Sequence, residues 1–269
     1  MPDVYATIAS ADEAVQERLA EVLELRAADP QQRAMLETYL EDLAPVGGAR
    51  VLDLGCGTGA VARTLAALPG VGEVVGIDPS SVFIGQARRL SEGIAGLSFE
   101  VGDGRALGLP DGSFDAVVLH TVLCHIPEPE RALAEAFRVV RDGGRLAIFD
   151  GDYATSTVAA YENDPLQGCA EATIAALVHD PWLARRLRRL VSEAGWRVTG
   201  MRSHGYLETT DPGYSMTLVD RGADSLVGAG RLGAEAGEAL KSEARRRADA
   251  DEFFGHIAYV SMIAERPGS

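Results

Sequence analysis

The sequence predicts an α/β fold with a doubly wound, mostly parallel sheet covered by helices on both faces. Two observations support this prediction. Short apolar runs alternate with helical patterns between residues 50 and 149, and a turn with three glycines in five residues, Gly55 to Gly59, follows the first run. Alternation of this kind implies right-handed parallel crossovers, and ligands then bind at the carboxyl ends of the strands.

Residues 1–48 form a helical preface to the sheet. The stretch from Ala11 to Leu43 is rich in Ala, Glu and Leu, and its apolar residues recur at helical spacing. The pair Asp29-Pro30 interrupts this pattern, because proline does not continue a helix interior. We therefore expect two helices before the first strand.

The core, residues 49–150, repeats the strand and helix pattern. Apolar runs typical of buried strands lie at 50–54, 74–77, 97–101, 114–119 and 146–149. Helical patterns lie at 61–68, 83–90 and 128–141. In a parallel sheet, the residues that directly follow these strands meet at one edge. We expect the binding residues there.

Residues 151–269 are expected to face the substrate. Helical patterns at 161–178 and 181–194 precede a strand at 196–206, and the chain has a last apolar strand at 255–265. Because this last strand is apolar on both faces, we expect it in the centre of the sheet. An insert of about residues 211–252, mostly helical from Glu235 to Ala248, separates the two strands. We interpret the whole as a single domain with a helical cap.

The composition argues against several function classes. The formal net charge of −15 is opposite to the basic surface that nucleic acid or anionic membrane requires. Three scattered cysteines provide neither a disulfide framework nor a zinc site, so we expect no metal. No apolar run approaches the roughly 20 residues of a membrane span, and the first residues have no leader pattern. The expected location is the cytoplasm; the oligomeric state stays open.

The glycine turn has two interpretations. Glycines let the backbone approach a ligand closely, and the helix that follows presents free N–H groups to it. Gly55 to Ala60 satisfies the relaxed dinucleotide pattern G-x-G-x-x-A, and Asp78 lies where a ribose would be bound. An NAD-dependent oxidoreductase is therefore one alternative.

Four motifs in order favour another cofactor. They are VLDLGCGTG at 51–59, GIDPS at 76–80, GDG at 102–104 with LPDGSFD at 109–115, and RVVRDGGRL at 138–146. Together they resemble the class I S-adenosylmethionine-dependent methyltransferases, in the small-molecule branch that includes the quinone-biosynthesis C-methyltransferases. The resemblance implies a Rossmann-like sheet of seven strands with an antiparallel last strand, and S-adenosylmethionine as cofactor, with S-adenosylhomocysteine as product.

The resemblance also implies the reaction. A methyl group would pass by in-line displacement to a small-molecule acceptor, and the acceptor atom, oxygen, nitrogen or carbon, stays open. A cofactor-binding catalyst that does not methylate is the second alternative on the same scaffold. The acceptor region has no motif that names a substrate.

The resemblance assigns three carboxylates to the cofactor. Asp53 would hold the α-ammonium group, and Asp78 would accept hydrogen bonds from both ribose hydroxyls, since a carboxylate is acceptor-only. Asp103 would accept from the exocyclic amine of adenine. The full set implied for the cofactor is Arg26, Asp53, Gly55, Cys56, Gly57, Thr58, Gly59, Asp78, Pro79, Phe83, Asp103, Gly104 and His120.

Four other members of this set have specific expected roles. Phe83 would pack on the adenine ring, and the Gly104 N–H would meet a ring nitrogen. His120 would flank the methionyl end of the cofactor. Arg26, in the preface, would clamp the methionyl carboxylate.

The chemistry needs few catalytic groups. A sulfonium methyl is already activated, so the protein mainly positions the acceptor and excludes water. A base is needed only if the acceptor loses a proton. The candidates are His120, His125 and Asp152, which follow the fourth and fifth strands, and His204 near the sixth.

Overall fold

A computed structural model describes residues 3–45 and 47–268 of the chain. Two helices precede the sheet, α1 (Glu13–Ala28) and α2 (Pro30–Leu43). Asp29 separates them, because its backbone is extended and its carboxylate accepts a hydrogen bond from the Gln32 N–H at 2.9 Å. Pro30 takes the first helical position, where its missing N–H costs nothing. The predicted break is therefore confirmed.

Seven strands form one sheet in the order β3-β2-β1-β4-β5-β7-β6. Strands β1 to β5 pair in parallel, whereas β7 is antiparallel to both β5 and β6. The strands are β1 (Ala49–Leu54), β2 (Val71–Asp78), β3 (Leu97–Val101), β4 (Phe114–His120), β5 (Val140–Thr157), β6 (Arg197–Glu208) and β7 (Gly255–Glu265). The predicted fold class and the central antiparallel last strand are confirmed.

Helices cover both faces of this sheet. They are α3 (Ala60–Ala66), α4 (Ser81–Leu90), α5 (Pro129–Val139), α6 (Pro165–Leu177), α7 (Leu183–Glu193), α8 (Gly213–Gly228) and α9 (Ala234–Asp249). Short 3-10 helices lie at Ile8–Ser10 and Leu123–His125. No helix of the described residues is long and apolar enough to cross a membrane.

The strand order changes direction between β1 and β4, and such a switch point is where ligands bind in open α/β sheets. The main hydrophobic core fills both faces of the sheet, and a second cluster joins α6, α8 and α9. A third, small cluster joins the preface to α4 through Ile8, Leu19 and Phe83. The preface therefore packs against the switch point.

Three differences from the prediction have a structural reason. Helix α6 begins at Pro165 instead of residue 161, because Asp164 caps it by accepting a hydrogen bond from the Leu166 N–H. Strand β5 extends well beyond residues 146–149, because its second half continues to pair with β7. Helix α8 was not predicted, since its glycines are poor helix formers. Gly222 is needed there: a Cβ would lie 1.8 Å from the Cys169 carbonyl oxygen of α6.

Candidate active site

A cavity of about 590 Å³ opens at the carboxyl ends of β1, β2 and β4. The preface and helices α6 and α8 form its other walls. The glycine turn lines it through Gly55, Cys56, Gly57 and Thr58. The structure therefore brings the first two motifs, the end of β4 and the helical cap together around one space.

The glycine turn has a backbone that other residues would strain. Gly55 and Gly57 have φ values of +76° and +53°, in the region that favours glycine. A Cβ on Gly55 would lie 2.5 Å from a methyl group of Val122, and one on Gly57 would lie 3.0 Å from Leu23 of α1. The turn is thus closely covered by the loop after β4 and by the preface.

Asp78 is tied to this turn. Its Oδ2 accepts a hydrogen bond from the Gly57 N–H at 2.9 Å, and its Oδ1 accepts one from the Ser80 N–H at 2.9 Å. Burial raises the pKa of Asp78 to about 6 despite these two bonds. Each oxygen keeps a second lone pair for a ligand hydroxyl.

Asp53 lies near Asp78 and has fewer hydrogen-bond partners. Both of its carboxylate oxygens are buried, and among the described residues neither accepts a hydrogen bond of good geometry; the Ala62 N–H at the start of α3 is near enough only to lower its pKa in part. Burial, with a further contribution from the charge of Asp78, raises the pKa of Asp53 to about 7. A buried carboxylate without partners is costly unless a ligand compensates it. An ammonium group would do so, and the residues present therefore fit S-adenosylmethionine.

Of the residues predicted near the adenine ring, only some line the cavity. Phe83 and Pro79 line the cavity, and Phe83 also packs on the preface. Asp103 and Gly104 are not among the lining residues. The Asp103 carboxylate binds the Arg105 guanidinium at 2.9 Å, and its side chain is 49% exposed. Their adenine contacts stay a prediction.

His120 lines the cavity at the end of β4 but is held in place. Its Nδ1 lies 2.9 Å from the Tyr39 hydroxyl, and its ring stacks on Phe149. Burial, and secondly the charge of Arg26, lowers the pKa of His120 to about 3. The imidazole is therefore neutral and strongly resists protonation.

His125 has a different environment. It lines the cavity from the 3-10 helix after β4, and its Nδ1 lies 2.9 Å from Oδ2 of Asp3. Asp3 is buried and also accepts hydrogen bonds from the N–H groups of Tyr5 and His179, each at 2.8 Å. The sequence analysis missed Asp3, because 122 residues separate it from His125. No local pattern connects the two.

The other candidate bases do not line the cavity. Asp152 forms an ion pair with Arg185 of α7, with 2.9 Å between Oδ2 and Nε. The Nε2 of His204 lies 2.8 Å from the Ser261 hydroxyl, and burial lowers the pKa of His204. Their catalytic roles stay predictions without structural support.

Arg26 lines the cavity from α1. Its Nη2 donates to the Tyr259 hydroxyl at 3.4 Å, and its guanidinium lies 5.5 Å from the centroid of that ring. The predicted contact between Arg26 and the methionyl carboxylate stays a prediction.

Comparison with known proteins assigns the family. The model of the methyltransferase domain matches residues 52–148. An O-methyltransferase of Pyrenophora dematioidea is 30% identical over 244 residues, which are 87% of this chain and 81% of that protein. The chain belongs to the class I S-adenosylmethionine-dependent methyltransferases. The resemblance in the four motifs is thereby confirmed, and the dinucleotide alternative is not supported.

Other relatives match a smaller part of the chain. A ubiquinone/menaquinone biosynthesis C-methyltransferase of Roseobacter denitrificans is 31% identical over 121 residues, 44% of this chain and 48% of that protein. The chain spans about half the length of this and two other curated relatives. The structure of the [4+2]-cyclase SpnF has a TM-score of 0.57 at 22% identity, covering 88% of this chain and 82% of its own. That similarity concerns the fold alone.

Proposed function

We propose that this chain transfers the methyl group of S-adenosylmethionine to a hydroxyl oxygen of a small, partly apolar metabolite. The observation that carries the proposal is the pair of buried carboxylates, Asp53 and Asp78, at the cavity edge beside the glycine turn. Asp53 offers a buried negative charge without a partner, and Asp78 offers free lone pairs. This combination suits an ammonium group and two ribose hydroxyls.

The same cavity continues from these carboxylates to an apolar and aromatic wall. Tyr5, Tyr153 and Tyr214 line it together with Ile174 and Leu177 of α6. A wall of this kind suits the body of a small, partly apolar acceptor and excludes water from the reacting atoms. The glycine turn, where the cofactor is expected, belongs to the same lining.

The pair of His125 and Asp3 is the proposed base. A carboxylate only accepts hydrogen bonds, so Asp3 fixes the proton of His125 on Nδ1 and leaves Nε2 as the acceptor. Asp3 also stabilises the imidazolium that forms when Nε2 takes a proton. His120 is the weaker base because its environment disfavours the charged ring. We assign it a positioning role beside Tyr39.

The proposed reaction joins a methyl transfer to the loss of one proton. When bound, S-adenosylmethionine supplies an activated sulfonium methyl, whose carbon bonds to the acceptor oxygen while the electron pair of the broken bond stays on sulfur. Nε2 of His125 accepts the proton that the hydroxyl loses. The cavity walls hold the oxygen in line and exclude competing water.

The proposed oxygen acceptor has two supports. A buried histidine and carboxylate pair is needed when the acceptor loses a proton, as a hydroxyl does. A relative that matches 87% of the chain is named an O-methyltransferase. A cofactor-dependent reaction without methyl transfer is the alternative outcome of the test, since the SpnF cyclase has the same fold.

The test begins with calorimetric titration of the chain with S-adenosylhomocysteine and, in parallel, with NAD. We expect S-adenosylhomocysteine alone to bind. Asp78→Ala should weaken this binding by about 1–3 kcal/mol, because the ribose hydroxyls lose their acceptor. Unchanged affinity in the folded variant would remove Asp78 from the cofactor site.

The second stage uses a panel of hydroxylated metabolites and a donor with a deuterated methyl group. Mass spectrometry of the products is expected to find the label on an oxygen atom. Label on carbon or nitrogen would contradict the oxygen acceptor. Tight binding of the cofactor with conversion of a panel compound but no label transfer would favour the non-methylating alternative.

A further inference from the structure

Arg26 is a buried cation without an ion pair. Among the described residues, its only hydrogen bond is the one to the Tyr259 hydroxyl, and its buried Nε has no partner. No described Asp or Glu lies within ion-pair distance of it, although most arginines of the chain form ion pairs. Guanidinium is always charged in proteins and has five N–H donors. Most of these donors remain for a ligand.

The charge of the cavity wall is opposite to that of the whole chain. The sequence has 40 acidic and 25 basic residues, yet four arginines and three acidic residues line the cavity. Arg63 and Glu24 pair with each other at 2.7 Å. Asp53 and Asp78 belong to the proposed cofactor side. The cations left over are Arg26, which is inside, and Arg33 and Arg221, which are exposed at the rim.

Arg26 lies near several tyrosines, three of which line the cavity. Tyr259 belongs to β7, which is two strands away from β4 in the sheet. Burial raises the pKa of Tyr5, Tyr153 and Tyr214, and the charge of Arg26 lowers each pKa in part. The pKa values of Asp53 and Asp78 show no such influence of Arg26. The guanidinium is therefore closer to the three tyrosines and to His120, whose pKa its charge also lowers, than to the two carboxylates.

We propose that the acceptor carries a carboxylate group that binds Arg26, so that the substrate class is a small hydroxylated carboxylic acid. This inference rests on the proposed function. A guanidinium binds a carboxylate through two parallel hydrogen bonds, and burial strengthens such a pair. The carboxylate also supplies the anion that a buried cation needs.

A carboxylate fits this subsite better than a phosphate. Among the described arginines of the cavity lining, Arg26 alone has a buried nitrogen without a partner, and its guanidinium balances one negative charge. A phosphate dianion would need further cations at the same depth, but the other two arginines are at the rim. The apolar body of the acid would then lie against Tyr5, Tyr153 and the α6 residues Ile174 and Leu177, which line the same space.

The test measures binding to the chain saturated with S-adenosylhomocysteine. The probes are 4-hydroxybenzoate, 4-hydroxycinnamate and 4-hydroxyphenylacetate, each compared with its neutral amide by calorimetry. We expect at least one acid to bind about 10- to 100-fold more tightly than its amide, the gain of a buried charged pair. Arg26→Gln should abolish this preference, whereas Arg26→Lys should keep part of it, since one charge remains without the planar fork.

Arg18→Gln is the matched control. It removes the same charge from an exposed position of α1 outside the cavity lining, and it should leave both binding reactions unchanged. Thermal unfolding checks that each variant is folded. If the wild type shows no preference for an acid over its amide in any pair, the proposal is overturned.

Cofactor affinity distinguishes the two remaining cases. If Arg26→Gln loses S-adenosylhomocysteine affinity while the acid preference persists, Arg26 serves the methionyl carboxylate and the proposal is overturned. If the wild type does not bind S-adenosylhomocysteine, the proposed function fails first. The acid and amide comparison on the free protein then still decides whether an anion subsite exists.

Discussion

Asp53 is a carboxylate that the fold buries in the protein interior. Its oxygens accept no hydrogen bond of good geometry among the described residues, and its pKa is raised to about 7 by burial, with Asp78 contributing. A raised carboxyl pKa means that the folded state holds the proton more tightly than the unfolded chain. The stability from the neutral form is therefore present at low pH and is lost as the pH rises from about 4 to about 7.

The first prediction follows from the raised pKa of Asp53. In the free protein, Asp53→Asn should raise the free energy of unfolding relative to the wild type by up to about 4 kcal/mol near pH 8. The difference should shrink toward pH 5, because the wild-type carboxyl is then neutral when folded. The same variant should bind S-adenosylhomocysteine about tenfold less tightly or worse, since the ammonium loses its charged partner. Denaturant unfolding at both pH values and calorimetry measure the two effects.

Asp150→Asn is the control for this prediction. Asp150 is also buried, but the N–H groups of Cys124 and Gly151 donate to its oxygens, and it does not line the cavity. Burial raises the pKa of Asp150 as well, so this variant also removes a buried charge, but it should leave cofactor affinity unchanged. A wild-type affinity in Asp53→Asn would contradict the assignment of Asp53.

The second prediction concerns the proposed base. With a hydroxylated acceptor at saturating cofactor, His125→Gln should lower turnover by about 10²-fold, and Asp3→Asn should lower it less. His204→Gln is the control, because His204 bonds Ser261 outside the cavity lining. A normal rate in His125→Gln would leave catalysis to alignment alone.

At the scale of elements, α8 forms one wall of the cavity. It contributes Tyr214, Thr217, Leu218 and Arg221 to the lining, whereas α9 contributes none. Gly222 lets α8 pack against α6 without a gap, so the position of this wall is fixed by backbone contact. Of the two helices in the insert at about residues 211–252, α8 is therefore the one that lines the cavity.

The third prediction tests this wall. Thr217→Trp should fill the acceptor side from the rim and lower methyl transfer to a bulky acceptor about tenfold or more, because the added ring occupies its space. S-adenosylhomocysteine affinity should change less than about twofold. Ser225→Trp adds the same ring at an exposed position of α8 outside the lining, and it should change neither quantity. Loss of cofactor binding in Thr217→Trp would show that α8 covers the cofactor.

The elements around the glycine turn could be predicted because their signals are local. Strand β3 was predicted with its observed bounds, and so was β7, whose apolar residues on both faces also indicated its central place. Helix α8 could not be predicted in this way, since Gly213, Gly222 and Gly228 disfavour a helix. The reason for Gly222 lies on α6, which is distant in sequence.

In the candidate site too, only the features with a local sequence signal could be predicted. The glycine turn and Asp78 follow strands that the pattern of hydrophobic residues identifies, and they do lie at one edge of the sheet. The contact of Asp3 with His125 and the place of Arg26 beside Tyr259 depend on how the preface packs on the finished sheet. Such contacts between distant segments leave no periodic pattern in the sequence.

At the scale of the whole molecule, the balance of charged residues is acidic over the whole chain but basic in the cavity lining. The net charge is −15, whereas the lining has more arginines than acidic residues. A net charge of this size attracts cations over distances comparable to the Debye length. The local arginines act only at contact distance. Encounter and binding of a charged ligand should therefore respond to salt in different ways.

The last prediction uses the charge difference between the cofactor and its product. S-adenosylmethionine has one net positive charge from its sulfonium, whereas S-adenosylhomocysteine has none and is otherwise nearly identical. Contacts of the ammonium, carboxylate and ribose are common to both ligands, so their salt dependence largely cancels in the comparison. By stopped-flow, the association rate of S-adenosylmethionine should fall severalfold as ionic strength rises from about 0.01 M to about 1 M, where the Debye length shrinks from about 30 Å to about 3 Å. The rate for S-adenosylhomocysteine should change much less. Equal salt dependence for the two ligands would mean that the arginines at the rim cancel the field of the acidic surface before the ligand reaches the cavity.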